Sequence, residues 1–378
     1  MGYFKQVCAE IVKEIKEKNP KTQRELNKIK LMILSKYKSY GQLKEIPKNA
    51  DIYFAASEEE RENFKQLLSL KPVRTISGVS PIALMSEPYP CPHTMKDIGP
   101  CSYCPGGPSS VFGDVPQSYT GKEPSTRRAI RNNYDPYLIV FNRLEHYVAM
   151  GKVPDKAEVI IQGGTFTFFP KAYQEYFVKY ALKAMNDFSK LFFNEDRSID
   201  IFKFKKLFEL PRILSEDDKR TKVVQQKLIY IKNLDLNDLE VRKKIEDLFF
   251  EDYFFDLNNV KINNGKSFNA SGESEDNNQN EIIISTQNNK LSVIENKIED
   301  PNILAIKNIQ NKLKNEDNKN LTLQQVQKEN ETSFIRCVGL TIETKSDFGK
   351  LYHGNLMLEL GCTRVEIGIQ SIYNDVLE

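Results

Sequence analysis

The chain has 378 residues, of which 40% are hydrophobic and 28% charged, and this is enough to form one large globular domain or two ordinary ones. Its formal net charge of +2 points to no class of partner. The sequence has no apolar run of roughly 18 residues and no apolar leader with a cleavage site, which argues against membrane association and predicts a cytoplasmic protein with reduced cysteines.

The first segment, residues 1–70, is predicted to be helical and basic. Residues 1–50 carry twelve Lys or Arg against five Glu, which is typical either of a nucleic-acid-binding surface or of a solvated helix pair. Thr22 and Glu25 form a capping-box pattern that starts a second helix. The first helix is predicted by apolar residues at helical spacing: Cys8, Ile11, Val12 and Ile15.

Strands and helices alternate in the segments 71–188 and 331–378. Four short apolar runs predict buried strands, within 73–85, 157–169, 336–344 and 363–371, and the helices are predicted over 136–150, 171–188 and 350–360. This alternation predicts an α/β fold with a parallel sheet or barrel, in which the chemistry sits at the carboxyl ends of the strands.

Residues 189–330 interrupt that pattern as a long polar insertion. Its first part is charged with apolar runs, and we expect it to be partly helical, as in residues 236–250. Residues 257–330 are rich in Asn, Lys, Asp, Glu and Ser, and such a composition buries too little apolar surface to offset the chain entropy. We therefore expect the second part of the insertion to be largely disordered.

Three of the six cysteines lie within fourteen positions, in "PCPHTMKDIGPCSYCPGG". Cys101 and Cys104 form a C-x2-C pair, and Cys91 precedes them by ten residues. In a reducing compartment such a group is typical of metal or redox chemistry. Three thiolates hold three corners of a [4Fe–4S] cube and leave one iron open, whereas His93 would complete a Cys3His zinc site.

The C-x9-C-x2-C spacing resembles the cluster motif of the Elongator catalytic subunit, a family of radical S-adenosylmethionine (SAM) enzymes. Other blocks resemble the family in the same order: "KPVRTISGVSPIALM", "QSYTGKEPSTRRAIRNNYDPY", "GGTF", "RCVGLTIET" and "GCTRVEIGIQS". The resemblance implies a partial (β/α) radical SAM barrel over 71–188 and 331–378, preceded by a basic helical segment that resembles the family more loosely.

By this resemblance Cys91, Cys101 and Cys104 hold a [4Fe–4S] cluster, and SAM chelates the open iron. The turn at Gly163 and Gly164 is similar to the glycine motif that approaches the SAM amino group, although a plain turn after a strand is the simpler interpretation. After the third and fourth strands the resemblance implies two further cofactor-binding side chains, which otherwise are rim residues without a ligand: Glu343 and Gln370.

The family modifies tRNA by adding a carboxymethyl-type group to carbon 5 of the wobble uridine, with acetyl-CoA as co-substrate. The resemblance therefore implies tRNA as a partner, and a second copy of the chain or other Elongator subunits as further partners. Basic residues that flank the cluster loop are candidates for RNA contact, or else form surface ion pairs: Lys71, Arg74, Arg127, Arg128 and Arg131.

Two departures from the family affect the expected activity. The sequence shows four strands where the family's barrel has about six, and we find no Q-x-x-G-x-G/A pattern for CoA, so we expect a chain truncated before the acetyltransferase domain. Lys345 stands where the family usually has Arg. Besides the enzyme, two alternatives remain open: a non-catalytic tRNA-binding fragment and a zinc-stabilised module.

Overall fold

A computed structural model describes residues 3–39, 46–68, 77–96, 99–210, 217–250 and 300–374. The helices in these ranges are α1 (Tyr3–Lys18), α2 (Gln23–Ser39), α3 (Asn49–Ala55), α4 (Glu58–Leu68), α5 (Pro124–Arg131), α6 (Pro136–Ala149), α7 (Lys171–Phe192), α8 (Ile201–Leu207), α9 (Asp217–Lys232), α10 (Leu239–Phe249), α11 (Pro301–Lys314), α12 (Leu323–Asn330) and α13 (Leu351–Glu359). The strands are β1 (Ser80–Met85), β2 (Lys156–Gln162), β3 (Arg336–Lys345) and β4 (Arg364–Gly368). Among these helices, not one combines the length and the apolar character needed to cross a membrane.

The four strands form one parallel sheet in the order β1–β2–β3–β4. Met85 is the register partner of Gln162, and Glu343 is the register partner of Glu366. The carboxyl ends of all four strands consequently lie along one edge of the sheet. This confirms the predicted α/β fold with a parallel sheet, while its closure into a barrel stays a prediction.

The main core lies between the sheet and the helices α6 and α7. Aromatic side chains dominate it, and Tyr137, Phe177 and Phe188 are essentially inaccessible to solvent. Helix α6 begins where predicted, because the Asp135 carboxylate accepts hydrogen bonds from the backbone N–H groups of residues 137 and 138. Burial of such large apolar surfaces is the main favourable contribution to folding and holds the strands in place.

Helices α1 to α4 form a second apolar cluster. Cys8, Ile11, Val12 and Ile15 are all buried, which confirms the predicted face of the first helix. The backbone N–H of Glu25 donates to Thr22 Oγ1 at 3.3 Å, and this confirms the predicted cap of the second. The Phe54 ring of α3 stacks on Phe204 of α8 with 5.8 Å between ring centroids, so the N-terminal helices contact the rest of the molecule.

The insertion contains more regular structure than its composition predicted. The expectation of disorder through residue 330 is wrong for α11 and α12, whose Ile309 and Val326 are buried against the main core. Helix α12 packs along α7, where the Asn186 side-chain amide donates to the Val326 carbonyl oxygen at 3.1 Å. A few well-placed apolar residues thus suffice to dock these helices. The segment 251–299, which contains the most polar part, lies outside the described residues.

Two smaller predictions also differ from the structure. The fourth strand was predicted to be buried, but Val365 and Ile367 of β4 are 39% and 47% exposed. This strand lies at the edge of the sheet, and its outer side is not covered within the described part of the chain. The loop predicted to run to about residue 126 already contains the start of α5, which Pro124 begins at a position where its missing N–H costs nothing.

Candidate functional site

A cavity of about 440 Å³ opens at the carboxyl ends of the strands, where the sequence predicted the chemistry to be. The structure brings together six of the predicted site residues in its wall: Cys91, Cys101, Cys104, Gly164, Glu343 and Gln370. These residues come from the cysteine loop, the turn after β2, the carboxyl end of β3 and the segment after β4, which are far apart in the chain. The cavity therefore depends on the sheet topology, not on any one segment.

The three cysteines sit in the loop that follows β1. Cys91 is only 6% exposed, while Cys101 and Cys104 are half-buried. The Cys104 backbone N–H donates to the Cys101 carbonyl oxygen at 2.8 Å, which closes the C-x2-C segment into a tight turn. All six cysteines of the chain are free thiols. Within the described ranges, no three or more His, Cys, Asp and Glu side chains form a group that could hold a metal ion.

His93 contacts residues at the end of β3. It is not part of the cavity wall, and its Nε2 lies 2.9 Å from Lys345 Nζ and 3.4 Å from Asp347 Oδ2. Lys345 itself lines the cavity, so the residue that departs from the family pattern lies between the site and His93. A tetrahedral Cys3His set needs all four ligands at about 2.0–2.3 Å from one point. The arrangement therefore does not favour the zinc alternative.

The two glycines after β2 have different roles. Gly164 lines the cavity, but Gly163 does not. The backbone of Gly163 has φ +124°, and an added Cβ would lie 2.0 Å from Ser86 Oγ. Ser86 also donates its hydroxyl to the Gly163 carbonyl oxygen at 3.1 Å. Gly163 is thus required where β2 ends against the end of β1, and only Gly164 is placed to approach a ligand.

Glu343 is held at the end of β3 by two donors. Tyr119 donates its hydroxyl to Oε2 at 3.1 Å, and the Gln162 amide donates to Oε1 at 2.8 Å. Burial, together with the nearby Glu343 carboxylate, raises the pKa of Tyr119 well above its ordinary value, so the phenol remains a donor. The carboxylate is therefore fixed in orientation at the cavity wall.

Gln370 lies beyond the end of β4 and is exposed. Its backbone has φ +73°, an unusual conformation for a residue with a side chain. The Gln370 Oε1 accepts a hydrogen bond from the Tyr103 hydroxyl at 3.1 Å, and Tyr103 belongs to the C-x2-C segment. This contact joins the cysteine loop to the last strand and closes the cavity on that side.

Glu366 and Gln117 also line the cavity, and the sequence analysis did not single out either of them. Glu366 could have been found from "VEIG", because it is polar within an apolar strand and lies at the carboxyl end. Gln117 opens the "QSYTGKEPSTRRAIRNNYDPY" block and lies thirteen residues after Cys104 in a loop of glycine and proline. Neither feature identifies a cavity residue unless the strand register and the loop conformation are also known.

The three candidate RNA-binding residues that the structure describes do not belong to the cavity wall: Arg127, Arg128 and Arg131. Arg127 and Arg131 are exposed on α5, which packs against β1. Arg128 is more enclosed, and burial next to Arg143 lowers the pKa of its guanidinium to about 10. The structure thus places three basic residues on one helix beside the site. The other two, Lys71 and Arg74, lie outside the described residues.

Comparison with known proteins identifies relatives along nearly the whole chain. Residues 4–76 match the family described as ELP3 N-terminal domain. A tRNA uridine(34) acetyltransferase of Methanocaldococcus infernus is 30% identical over 373 residues, which cover 98% of this chain and 44% of that protein. Elongator complex protein 3 of Drosophila melanogaster is 40% identical over 174 residues, which cover 46% of this chain and 31% of that protein.

This chain spans less than half the length of the archaeal relatives it matches, 44% of the M. infernus protein and 36% of the one from Methanocaldococcus jannaschii. A solved structure of M. infernus Elp3 with an N-terminal deletion covers 79% of this chain and 30% of that chain, at 21% identity and a TM-score of 0.31. A TM-score of that size is too low to establish a common fold.

Proposed function

Because this chain belongs to the family of Elongator complex protein 3, we propose that it holds the iron–sulfur cluster and the SAM site of a radical SAM enzyme that modifies tRNA. The observation that carries the proposal is the placement of Cys91, Cys101 and Cys104 in one cavity at the carboxyl ends of a parallel sheet, with Glu343 in the same cavity wall. The cytoplasm is the compartment in which such reduced thiols are expected.

The donor set fits a cluster better than a single ion. A [4Fe–4S] cube is held by thiolates on the separate iron atoms at its corners, whereas one zinc ion needs four ligands around a single point. The three cysteines share a cavity wall, whereas His93 is engaged by Lys345 and is not part of that wall. When bound, the cluster and SAM together supply reductive cleavage of a sulfonium carbon–sulfur bond.

The residues of this chain would bind and orient the cofactors. Glu343, held by Tyr119 and Gln162, offers a fixed carboxylate to a cationic group such as the SAM amino group. The backbone at Gly164 allows a ligand to approach closely. Gln370 offers an amide to hydroxyl groups at the outer side of the cavity.

The proposed substrate is a tRNA whose wobble uridine is modified, as the name tRNA uridine(34) acetyltransferase indicates for the archaeal relative. Arg127 and Arg131 are exposed beside the site and suit phosphate contact. The basic character of the N-terminal helices is partly neutralised by pairs such as Lys18–Glu14 and Lys36–Glu10. Acetyl-CoA, a homodimer partner and other Elongator subunits belong to the same proposal for the whole protein.

The test is anaerobic reconstitution of the chain with iron and sulfide, followed by addition of SAM and a reductant. We expect about four irons per chain and cleavage of SAM, with both lost when Cys91, Cys101 and Cys104 are all changed to Ala. Changing Cys8, Cys337 and Cys362 to Ala is the matched control. Assembly of the cluster without SAM cleavage would favour the non-catalytic tRNA-binding alternative. One tightly bound zinc and no iron would overturn the proposal.

A further inference from the structure

Gln117 links the cysteine loop to the loop that follows it. Its side-chain Nε2 lies 2.8 Å from Cys104 Sγ and 3.0 Å from the Gly106 carbonyl oxygen. A carbonyl oxygen only accepts hydrogen bonds, so the amide nitrogen must face it, and this fixes the orientation of the amide. We propose that Gln117 is a positioning residue that donates a hydrogen bond to the Cys104 sulfur and thereby raises the reduction potential of the cluster. This inference rests on the proposed function.

The surroundings leave the Gln117 side chain little freedom. A Cβ on Gly107 would lie 2.3 Å from Gln117 Oε1, so a glycine at this position gives the amide its space. On the other side, Gly164 leaves room for Gln117, since an added Cβ would come within 3.1 Å of the glutamine Cβ. The side chain is therefore wedged between the cysteine loop and the turn after β2. Such packing keeps the donor aimed at the sulfur.

Gln117 is the strongest donor to this sulfur in the described part of the chain. The Ser118 hydroxyl lies 3.8 Å from Cys104 Sγ, near the limit for a sulfur hydrogen bond. The Cys104 thiol also lies 3.2 Å from the Gly106 carbonyl oxygen. That bond requires the thiol proton, which leaves when the sulfur ligates iron. The bond from the amide does not depend on this proton and would persist in the loaded protein.

A hydrogen bond donated to a sulfur that ligates iron raises the reduction potential of the cluster. The reduced cluster carries one more electron, and part of the added negative charge resides on its sulfur ligands. A donor such as the Gln117 amide stabilises that charge more than it stabilises the oxidised state. Loss of the donor should therefore make the potential more negative. A leucine at 117 keeps approximately the same shape but removes both N–H groups.

The experiment compares Gln117→Leu with the wild type after anaerobic reconstitution, using a redox titration followed by electron paramagnetic resonance without SAM. We expect the equilibrium constant for one-electron reduction to fall by about tenfold, which corresponds to a shift of about 59 mV toward negative potential. The matched control is Gln225→Leu, because Gln225 donates to the Arg131 carbonyl oxygen at 2.7 Å and is not part of the cavity wall. We expect this control to titrate like the wild type.

The outcomes separate this inference from the proposed function. If the wild type assembles no four-iron cluster, the proposed function fails and the inference with it. If both proteins assemble the cluster and share one potential, only the inference is overturned. Should Gln117→Leu lose its iron, Gln117→Glu is the second variant, and we expect its added negative charge to shift the potential in the same direction. Iron loss from both variants with unchanged thermal melting would show that Gln117 only shapes the loop, and would overturn the redox role.

Discussion

Glu343 and Glu366 are register partners on the adjacent parallel strands β3 and β4, and both line the cavity that the three cysteines share. Two carboxylates in neighbouring positions repel each other unless other groups compensate them. Glu343 accepts two side-chain hydrogen bonds, while Glu366 accepts one from Arg364 Nη2 at 2.8 Å. This side of the cavity is therefore suited to a ligand that carries positive charge, as SAM does at its amino and sulfonium groups.

The first prediction is that neutralising these carboxylates weakens SAM binding. Glu343→Gln should weaken it about tenfold, because a hydrogen bond to a charged group contributes about 1.5–3 kcal/mol, and Glu366→Gln should weaken it less because that residue is more exposed. The measurement is equilibrium dialysis with the reconstituted chain. Glu359→Gln, which alters a surface pair with Lys171, is the control. Equal affinity in all four proteins would contradict this assignment.

The second prediction concerns thiol accessibility. In the reduced, metal-free chain at pH 8, iodoacetamide should alkylate Cys101 and Cys104 first, because both are half-buried at an open cavity. Cys8 should react last, since it is inaccessible and its burial raises the pKa of the thiol to about 12. After reconstitution the first two should be protected and Cys8 unchanged, as measured by mass spectrometry of peptides. Undiminished labelling of Cys101 in a four-iron preparation would exclude it as a ligand.

The third prediction concerns the turn after β2. Gly163→Ala should destabilise the protein by about 2–4 kcal/mol, because it combines a left-handed backbone with a contact of 2.0 Å to Ser86. Gly78→Ala is the matched control: Gly78 also has positive φ, but nothing lies within 4 Å of its added Cβ, so a cost of about 1 kcal/mol is expected. Urea denaturation measures both. Equal costs would mean that the Ser86 contact is easily relieved.

The fourth prediction concerns the insertion. Lys232 of α9 lies 2.6 Å from Asp135 and donates to the Tyr176 hydroxyl at 2.7 Å, in a largely buried position. Lys232→Met should cost about 3–5 kcal/mol, because it leaves the Asp135 carboxylate without its cationic partner in a largely buried position. Lys328→Met breaks an exposed pair with Glu331 and should have little effect on the denaturation midpoint. Similar midpoints for the two variants would show that α9 is only loosely attached to the core.

Helices that bury one face could be predicted from the sequence, and so could the parallel sheet. The first helix shows its periodicity directly, because one stripe of it packs against a core. Helix α6 is buried on most sides, and it was marked instead by Pro136 near its start and Gly151 past its end. Helix α12 was not predicted, because residues 257–330 were judged by their overall composition, and a high asparagine content indicates disorder. In the structure Asn330 is buried, and its amide donates to Asn186 Oδ1 at 2.7 Å. Whether a polar residue finds such a partner depends on the tertiary structure.

In the candidate site too, some residues could be predicted from the sequence and others depend on the tertiary structure. Residues that directly follow a predicted strand, such as Glu343, could be located, because the carboxyl ends of parallel strands meet at one edge. Glu366 could not be identified as a site residue from the sequence, because its place beside Glu343 depends on the register of β3 and β4. Gln117 reaches Cys104 across a loop whose path depends on contacts made elsewhere. Spacing along the chain identified the cysteines but not the groups around them.

The hydrogen bond between Tyr103 and Gln370 joins residues 267 positions apart and has a consequence during synthesis. A ribosome that adds about 5–20 residues per second needs roughly 13–50 s to travel from the first of these residues to the second. During this interval the cysteine loop has left the ribosome, but β3 and β4 do not yet exist to complete the cavity around it. The nascent thiols are thus exposed to the cell well before β4 is made, so under the proposed function we expect a cluster to be inserted only after β4 has been translated.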